Sequence, residues 1–271
     1  DVARLRLNTV SKAALILTAA FGEELKQQVT GHMQIDLVKR IPSQAGLGGG
    51  STDAAALLRY LLTRWAHLLP AHDGAYWIEL SAAVGADVPF CMAGGMARCT
   101  GIGDVIEQLP DPGSWPIVLV KPAVGSSTPG AFARYDALHG RAWQDEAEGG
   151  VKTALAGRQR DLVGLLGQLG SLGPEQQTEA SSLMRKMNGL RGNDFEALIA
   201  PVCPEVAQIL HVLGDVWPSA VTGMSGSGTA CFALLPGEAG AAEFRRLKAG
   251  LDDALGEHKW RGWSASLSGT N

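Results

Sequence analysis

The sequence lacks the marks of several protein classes. Its four cysteines, Cys91, Cys99, Cys203 and Cys231, show no C-x-x-C spacing, which excludes a zinc ribbon and a disulfide scaffold; they read as buried thiols of a reducing, cytoplasmic compartment. Cations are not in excess: 23 Lys and Arg against 27 Asp and Glu leave a formal charge of -4. That balance excludes a general attraction to nucleic acid or acidic membrane, while a local basic pocket for an anionic substrate stays open. No apolar run approaches the ~20 residues that cross a bilayer. The start Asp1-Val2-Ala3-Arg4 carries neither a signal-peptide pattern nor an initiator methionine, so we expect a chain without its natural N-terminus. The histidines, His32, His67, His72, His139, His211 and His258, form no metal-like cluster and read as surface or internally satisfied residues.

Glycine is abundant, at 35 of 271 residues, and 46% of the chain is hydrophobic, enough for a sizeable core in one large or two modest domains. The most informative stretch is Pro42-Ser43-Gln44-Ala45-Gly46-Leu47-Gly48-Gly49-Gly50-Ser51-Thr52, which runs straight into the helix-forming Asp53-Ala54-Ala55-Ala56. Glycines let a backbone adopt positive φ and approach a ligand, and the first N–H groups of a helix have no partner inside it. With the positive end of the helix dipole, such a loop is a cradle for phosphate. It is not a Walker loop, since no lysine follows the last glycine, and a dinucleotide fingerprint would need glycine where Ser51 stands. The competing view is a flexible loop or an ordinary N-cap formed by Ser51, Thr52 or Asp53. On the cradle reading, Gly49→Val fills space that the phosphates need.

Along the chain, Asn8 caps a helix running to about Leu25. Met33, Ile35 and Leu37 alternate with Gln34, Asp36 and Val38 in a half-buried strand. Apolar residues at spacings of three and four predict a helix from about Ser51 to Leu69, ended by Pro70, and a short helix follows near Tyr76 to Val84. Glycines between Gly94 and Gly103 suggest a hairpin. The turn-rich Asp111-Pro112-Gly113-Ser114 precedes a strand over Ile117 to Lys121, which sets a domain boundary near residue 112. Helices are then expected over about Pro129 to Leu138, Val151 to Leu169, Pro174 to Lys186, Asp194 to Ile199 and Pro204 to Leu213. Two short strands around the Gly223 to Gly228 turn, a helix near Ala239 to Leu255 and a strand near Trp260 to Leu267 complete an α+β pattern.

Three ordered elements, Pro42-x-x-x-Gly46-Leu47-Gly48-Gly49-Gly50-Ser51, Gly85-Ala86-Asp87-Val88-Pro89-Phe90 and Gly223-Met224-Ser225-Gly226-Ser227-Gly228, resemble the GHMP kinase superfamily. The triple glycine before Ser51-Thr52-Asp53 most resembles its 4-diphosphocytidyl-2-C-methyl-D-erythritol kinases, of the non-mevalonate isoprenoid pathway; homoserine and mevalonate kinases usually carry a serine pair after Gly-Leu-Gly. Lys39-Arg40-Ile41-Pro42, Thr100-Gly101-Ile102-Gly103-Asp104 and Ser127-Thr128-Pro129-Gly130-Ala131-Phe132 add to the match. The N-terminal Pro-x-x-Lys-x-Asn and Gly-Tyr-His motifs of that family do not occur in this sequence. That absence makes a non-catalytic nucleotide-binding fragment one alternative reading; a homoserine- or mevalonate-type kinase, within the same chemistry, is the other.

The resemblance implies an N-terminal nucleotide-binding domain over residues 1–112, a C-terminal α/β sandwich domain over 113–271, and ATP and Mg²⁺ as cofactors. The acceptor implied is the 2-hydroxyl of a diphosphocytidyl polyol, handled by a cytoplasmic monomer or homodimer with no nucleic-acid or membrane partner. Pro42, Ser43, Gln44, Ala45, Gly46, Leu47, Gly48, Gly49, Gly50, Ser51 and Thr52 would cradle ATP, with Ser51 also meeting Mg²⁺. Lys39 would line the nucleotide site, although a solvated charge at a strand end is an equal reading. Asp87 is implied as the general base; alone, it reads equally as a turn cap before Pro89. Thr128, Pro129 and Phe132 fall where the family contacts cytosine, Phe132 competing with a core role. Gly223 to Gly228, with Gly226 and Ser227, is expected to pack against the phosphate loop or to line the acceptor site, or else to form a plain hairpin turn. Asp53 is read as a helix N-terminal carboxylate rather than a metal ligand.

Overall fold

The computed structural model describes residues 8–20, 34–68, 74–139, 151–173 and 175–267. The chain forms two compact units, one from residues up to 42 together with 48–109, the other from 43–47 together with residues from 110 onward.

In the first unit, Asn8 Oδ1 accepts the Val10 N–H at 2.9 Å and so caps α1 (Thr9–Ala20). Val10, Ala13, Ala14 and Leu17 of α1 are buried at helical spacing and face α2 (Gly49–Arg64), which buries Ala54, Ala55, Leu58 and Leu61. Alanines on both helices let the axes approach closely. A 3₁₀ turn (Ala66–Leu68) follows α2, then α3 (Gly74–Ala82) and α4 (Val88–Ala93), and a hairpin of β1 (Ala97–Thr100) and β2 (Val105–Gln108).

The hairpin matches the sequence reading, with Gly101 and Gly103 at φ +68° and +106° in its turn. The predicted strand over Gln34–Val38 does not: these residues form no ladder and lie exposed, Val38 at 76%. Alternation states which faces a strand would have, but a strand exists only where another chain segment accepts its hydrogen bonds. Met33, the end of α1 at Leu25, and Pro70 lie outside the described residues. The long helix opens two residues earlier than expected, at Gly49, and tightens to 3₁₀ geometry after Arg64. The segment after Asp87 is the helix α4, entered with a proline in its first turn.

The second unit is built on a four-stranded antiparallel sheet in the order β4-β5-β3-β6. The central strand β3 (Trp115–Pro122) pairs with β5 (Cys231–Leu234) and with β6 (Trp260–Leu267), and β5 pairs with β4 (Val221–Met224) in the register Met224↔Cys231. Its helices are α5 (Thr128–His139), α6 (Val151–Gly170), α7 (Gln177–Leu190), α8 (Asp194–Ile199), α9 (Pro204–Val216) and α10 (Ala241–Leu255). In α9, Val206, Ile209, Leu213 and Val216 recur at three and four residues; with Leu247, Leu251 and Leu255 of α10 they cover Val118, Val120 and Ala233 of the sheet. Helices against an antiparallel sheet give the expected α+β class.

Candidate nucleotide and substrate site

The glycine loop falls into two halves. Its second half, in the first unit, starts α2 at Gly48, an N-cap with φ 63° and ψ 13° and no side-chain capping bond. Thr52 closes the first turn, its N–H and hydroxyl both donating to Gly48 O at 2.9 and 3.1 Å. The N–H groups of Gly49, Gly50 and Ser51 have no acceptor within the helix. A Cβ built on Gly48 meets nothing within 4 Å, so positive φ and open space coincide there. Gly49 differs from the expectation: its Cβ would stand 2.7 Å from Ile41 Cγ2, so Gly49 serves packing against Ile41. Thr9 Oγ1 donates to Gly50 O at 2.9 Å and ties the start of α1 to the loop. The Ser51 hydroxyl makes no hydrogen bond among the described residues. Lys39 forms an ion pair with Asp53, which accounts for both charges at the helix start.

The first half, Ser43 to Leu47 in the second unit, is held by backbone. Gln44 and Gly46 take φ of 55° and 72°. Ser225 Oγ donates to Gly46 O at 2.8 Å, and the Ala230 N–H to Ala45 O at 3.1 Å. A Cβ on Gly46 would lie 1.9 Å from Ser225 O, and one on Gly228 1.9 Å from Gly46 N. These two glycines are required because two backbones touch.

Asp87 is exposed at the N-cap of α4, and its carboxylate caps nothing. Its backbone oxygen accepts from the Cys91 N–H at 3.1 Å, one turn on. Cys91 Sγ lies 3.6 Å from Thr52 Oγ1, and Arg59 of α2 donates to Cys91 O at 2.7 Å, so α4 is fastened along α2. Burial raises the Cys91 thiol pKa first; Thr52 hydrogen bonding lowers it and the Asp87 charge raises it again. Asp87 therefore stands within electrostatic reach of a thiol that touches the loop's last residue. Lys12 donates to Val84 O at 2.9 Å and holds the segment leading to Asp87.

In the second unit the structure brings Thr128 and Ser227 together, their hydroxyls 3.1 Å apart. Phe132, 50% exposed on α5, sets its ring edge-to-face on Phe195 at 4.9 Å between centroids. That position is neither a core phenylalanine nor an isolated one. Pro129 opens α5 after Thr128. Gly226, at φ 53°, gives its carbonyl to Asn193 Nδ2 at 2.9 Å.

Sequence reasoning missed Asn193, Phe195 and Glu196. Asn193 caps α8 by accepting the Phe195 N–H at 3.0 Å, and its amide donates to Met224 O and Gly226 O, both at 2.9 Å. Glu196 Oε2 accepts the Met224 N–H at 2.9 Å and pairs with Arg191 at 3.2 Å. Asn followed three residues later by Glu was visible as a capping signal, but the glutamate here reaches to the next strand. Among the described residues, no group of three or more His, Cys, Asp or Glu could hold a metal, and no helix is long and apolar enough to cross a membrane.

Comparison with known proteins bears on this geometry. Residues 8–95 match the family described as GHMP kinases N terminal domain, and residues 176–253 match GHMP kinases C terminal. The chain is 35% identical over 268 residues to a 4-diphosphocytidyl-2-C-methyl-D-erythritol kinase of Synechococcus sp. (strain CC9311), covering 97% of this chain and 76% of that one. It is 34% identical to the protein of the same name from Prochlorococcus marinus (strain NATL2A), covering 84% of this chain and 64% of that one. Among solved structures, homoserine kinase from Cytophaga hutchinsonii matches with a TM-score of 0.64 at 17% identity, over 97% of this chain and 76% of that one. Mevalonate kinase from L. major matches at 0.52 and 15%, over 84% and 68%. Those two likenesses speak for the fold alone.

Proposed function

The chain belongs to the GHMP kinase family, beside the 4-diphosphocytidyl-2-C-methyl-D-erythritol kinases, and on that premise we propose that it moves the γ-phosphoryl group of ATP to the 2-hydroxyl of 4-diphosphocytidyl-2-C-methyl-D-erythritol. The observation that carries the reading is the uncapped start of α2, where Gly48 leaves open space before free N–H groups while the uncapped carboxylate of Asp87 stands on the adjoining helix. Phosphoryl transfer asks for little covalent chemistry from a protein; it asks for held phosphates and a placed hydroxyl.

In this reading the N–H groups of Gly49, Gly50 and Ser51 and the dipole of α2 hold the phosphates. Asp87 accepts or orients the proton of the acceptor hydroxyl, a role that a carboxylate engaged in capping could not fill. Lys39 reaches the phosphates only by leaving Asp53. Thr128, Pro129, Phe132, Gly226 and Ser227 make the cytidylyl-binding surface of the second unit, with the Phe132 ring as a stacking face. Mg²⁺ takes oxygen ligands and keeps phosphate and water among them. Ser51 offers it one neutral oxygen and, among the described residues, no acidic cluster stands by, a donor set that fits an ion carried on the nucleotide; when bound, it neutralises charge on the transferring group. Four unpaired cysteines support a cytoplasmic setting.

The test is ADP release with Mg-ATP and 4-diphosphocytidyl-2-C-methyl-D-erythritol, with homoserine and mevalonate as control acceptors. Release with the cytidylyl substrate alone is expected. Release with homoserine or mevalonate overturns the substrate, and ATP binding without release from any acceptor limits this chain to nucleotide binding.

A further inference from the structure

The short segment Asn193-Asp194-Phe195-Glu196 does more than start a six-residue helix. Asn193 uses every hydrogen-bonding group of its amide: Oδ1 on its own helix, and both Nδ2 donors on the carbonyls of Met224 and Gly226. Glu196 takes the N–H of the same Met224. One residue at the end of β4 is thus gripped through both its backbone groups. Arg191 holds the Glu196 carboxylate and donates through Nε to Asn188 Oδ1 at 2.8 Å, and Asn188 in turn accepts the Thr222 N–H at 3.2 Å. The gripped turn is the one whose Ser225 holds Gly46 O and whose Gly228 presses on Gly46 N. From the same segment, Phe195 supports the Phe132 ring and stands 6.0 Å from Tyr135.

We propose that Asn193 and Glu196 are positioning residues that set the Met224–Gly228 turn and, through it, the Ser43–Leu47 half of the glycine loop, while Phe195 from the same segment sets the stacking face of Phe132. The inference deepens the function proposed above and rests on it only for what the two surfaces bind. Neither Asn193 nor Glu196 touches a ligand in this scheme. A neutral amide is needed at 193 because the two groups it meets are both carbonyl acceptors, and a carboxylate there would face them with lone pairs.

Asn193→Asp is therefore the informative variant: it keeps the acceptor that caps α8 and destroys the clamp. The first readout is amide hydrogen exchange at Ser225 and Gly228, whose N–H groups close the turn, and at Ala230, whose N–H is held by Ala45 O and so reports the docking of the 43–47 half; it needs no ligand. We expect exchange at these three amides to rise about tenfold or more, the loss of two hydrogen bonds, in a chain that still unfolds cooperatively, with Glu196→Gln, which keeps an acceptor for the Met224 N–H, close to unchanged. The second readout concerns the other surface: Phe195→Leu raises KM for the cytidylyl substrate and leaves KM for ATP alone. Unaltered exchange at Ser225, Gly228 and Ala230 in folded Asn193→Asp overturns the proposal. Exchange that rises in a chain with no kinase activity upholds the clamp and sinks the assigned reaction, so the two failures are separate.

Discussion

The two halves of the glycine loop look alike in sequence and differ in physics. In Ser43–Leu47, Gly46 is a contact residue: its hydrogen faces Ser225 O at a distance no Cβ could occupy, and the facing Gly228 has the same constraint. In Gly48–Thr52, a Cβ on Gly48 would touch nothing, and its positive φ turns the chain into α2, whose first N–H groups have no acceptor within the helix. The space beside Gly46 is occupied by protein and that beside Gly48 is left open. A glycine run thus mixes residues that are small so that protein can pack with residues that are small so that a ligand can, and only the second kind marks the site.

The largest expected effect lies beside the open half. Asp87→Asn should lower turnover by about 10²- to 10⁴-fold while ATP affinity stays within about twofold, checked by steady-state kinetics and calorimetric titration; full turnover removes Asp87 from the reaction. Next is the docked half. Gly46→Ala sets a Cβ into backbone that cannot yield, at positive φ, and should cost about 3 kcal/mol or more in urea unfolding. Gly48→Ala has the same kind of φ but open space, and should cost only about 1–2 kcal/mol. Equal losses in the two variants would erase the distinction between the halves.

A smaller effect concerns pH and the second unit alone. Burial pushes the Cys231 thiol up to about 12 and, with Glu205, that of Cys203 up to about 11, from an ordinary 9.0. Between pH 9.0 and about 12 the unfolded chain loses these protons while the folded one keeps them, so stability falls as pH rises through that window. Cys231→Ala should flatten the fall, measured as unfolding free energy against pH. An unchanged slope would mean that Cys231 ionises as freely as an exposed thiol.

Much of the fold was legible because it is local. The Asn8 cap, the spacing of apolar residues in α9 and α10, and the Gly94–Gly103 hairpin each follow from neighbours a few residues apart. What failed needed partners far along the chain. Gln34–Val38 alternates like a strand but has no ladder, and Asn193 to Glu196 read as an unremarkable helix start, since its grip on Met224 and Gly226 spans some thirty positions. Asp87 and the loop are proposed from motif, and packing of the Gly223–Gly228 turn on the loop is one of the sequence readings; that Gly49 packs on Ile41 could be learned only from three dimensions.

Titration of ATP into the native chain and into Gly48→Ala, with unfolding curves for both, tests the central claim most directly. Affinity should fall about tenfold or more for a stability loss of only about 1–2 kcal/mol, because the new methyl group enters the space proposed for phosphate. Equal affinities would contradict that claim, and would return the Gly48–Ser51 segment to an ordinary turn.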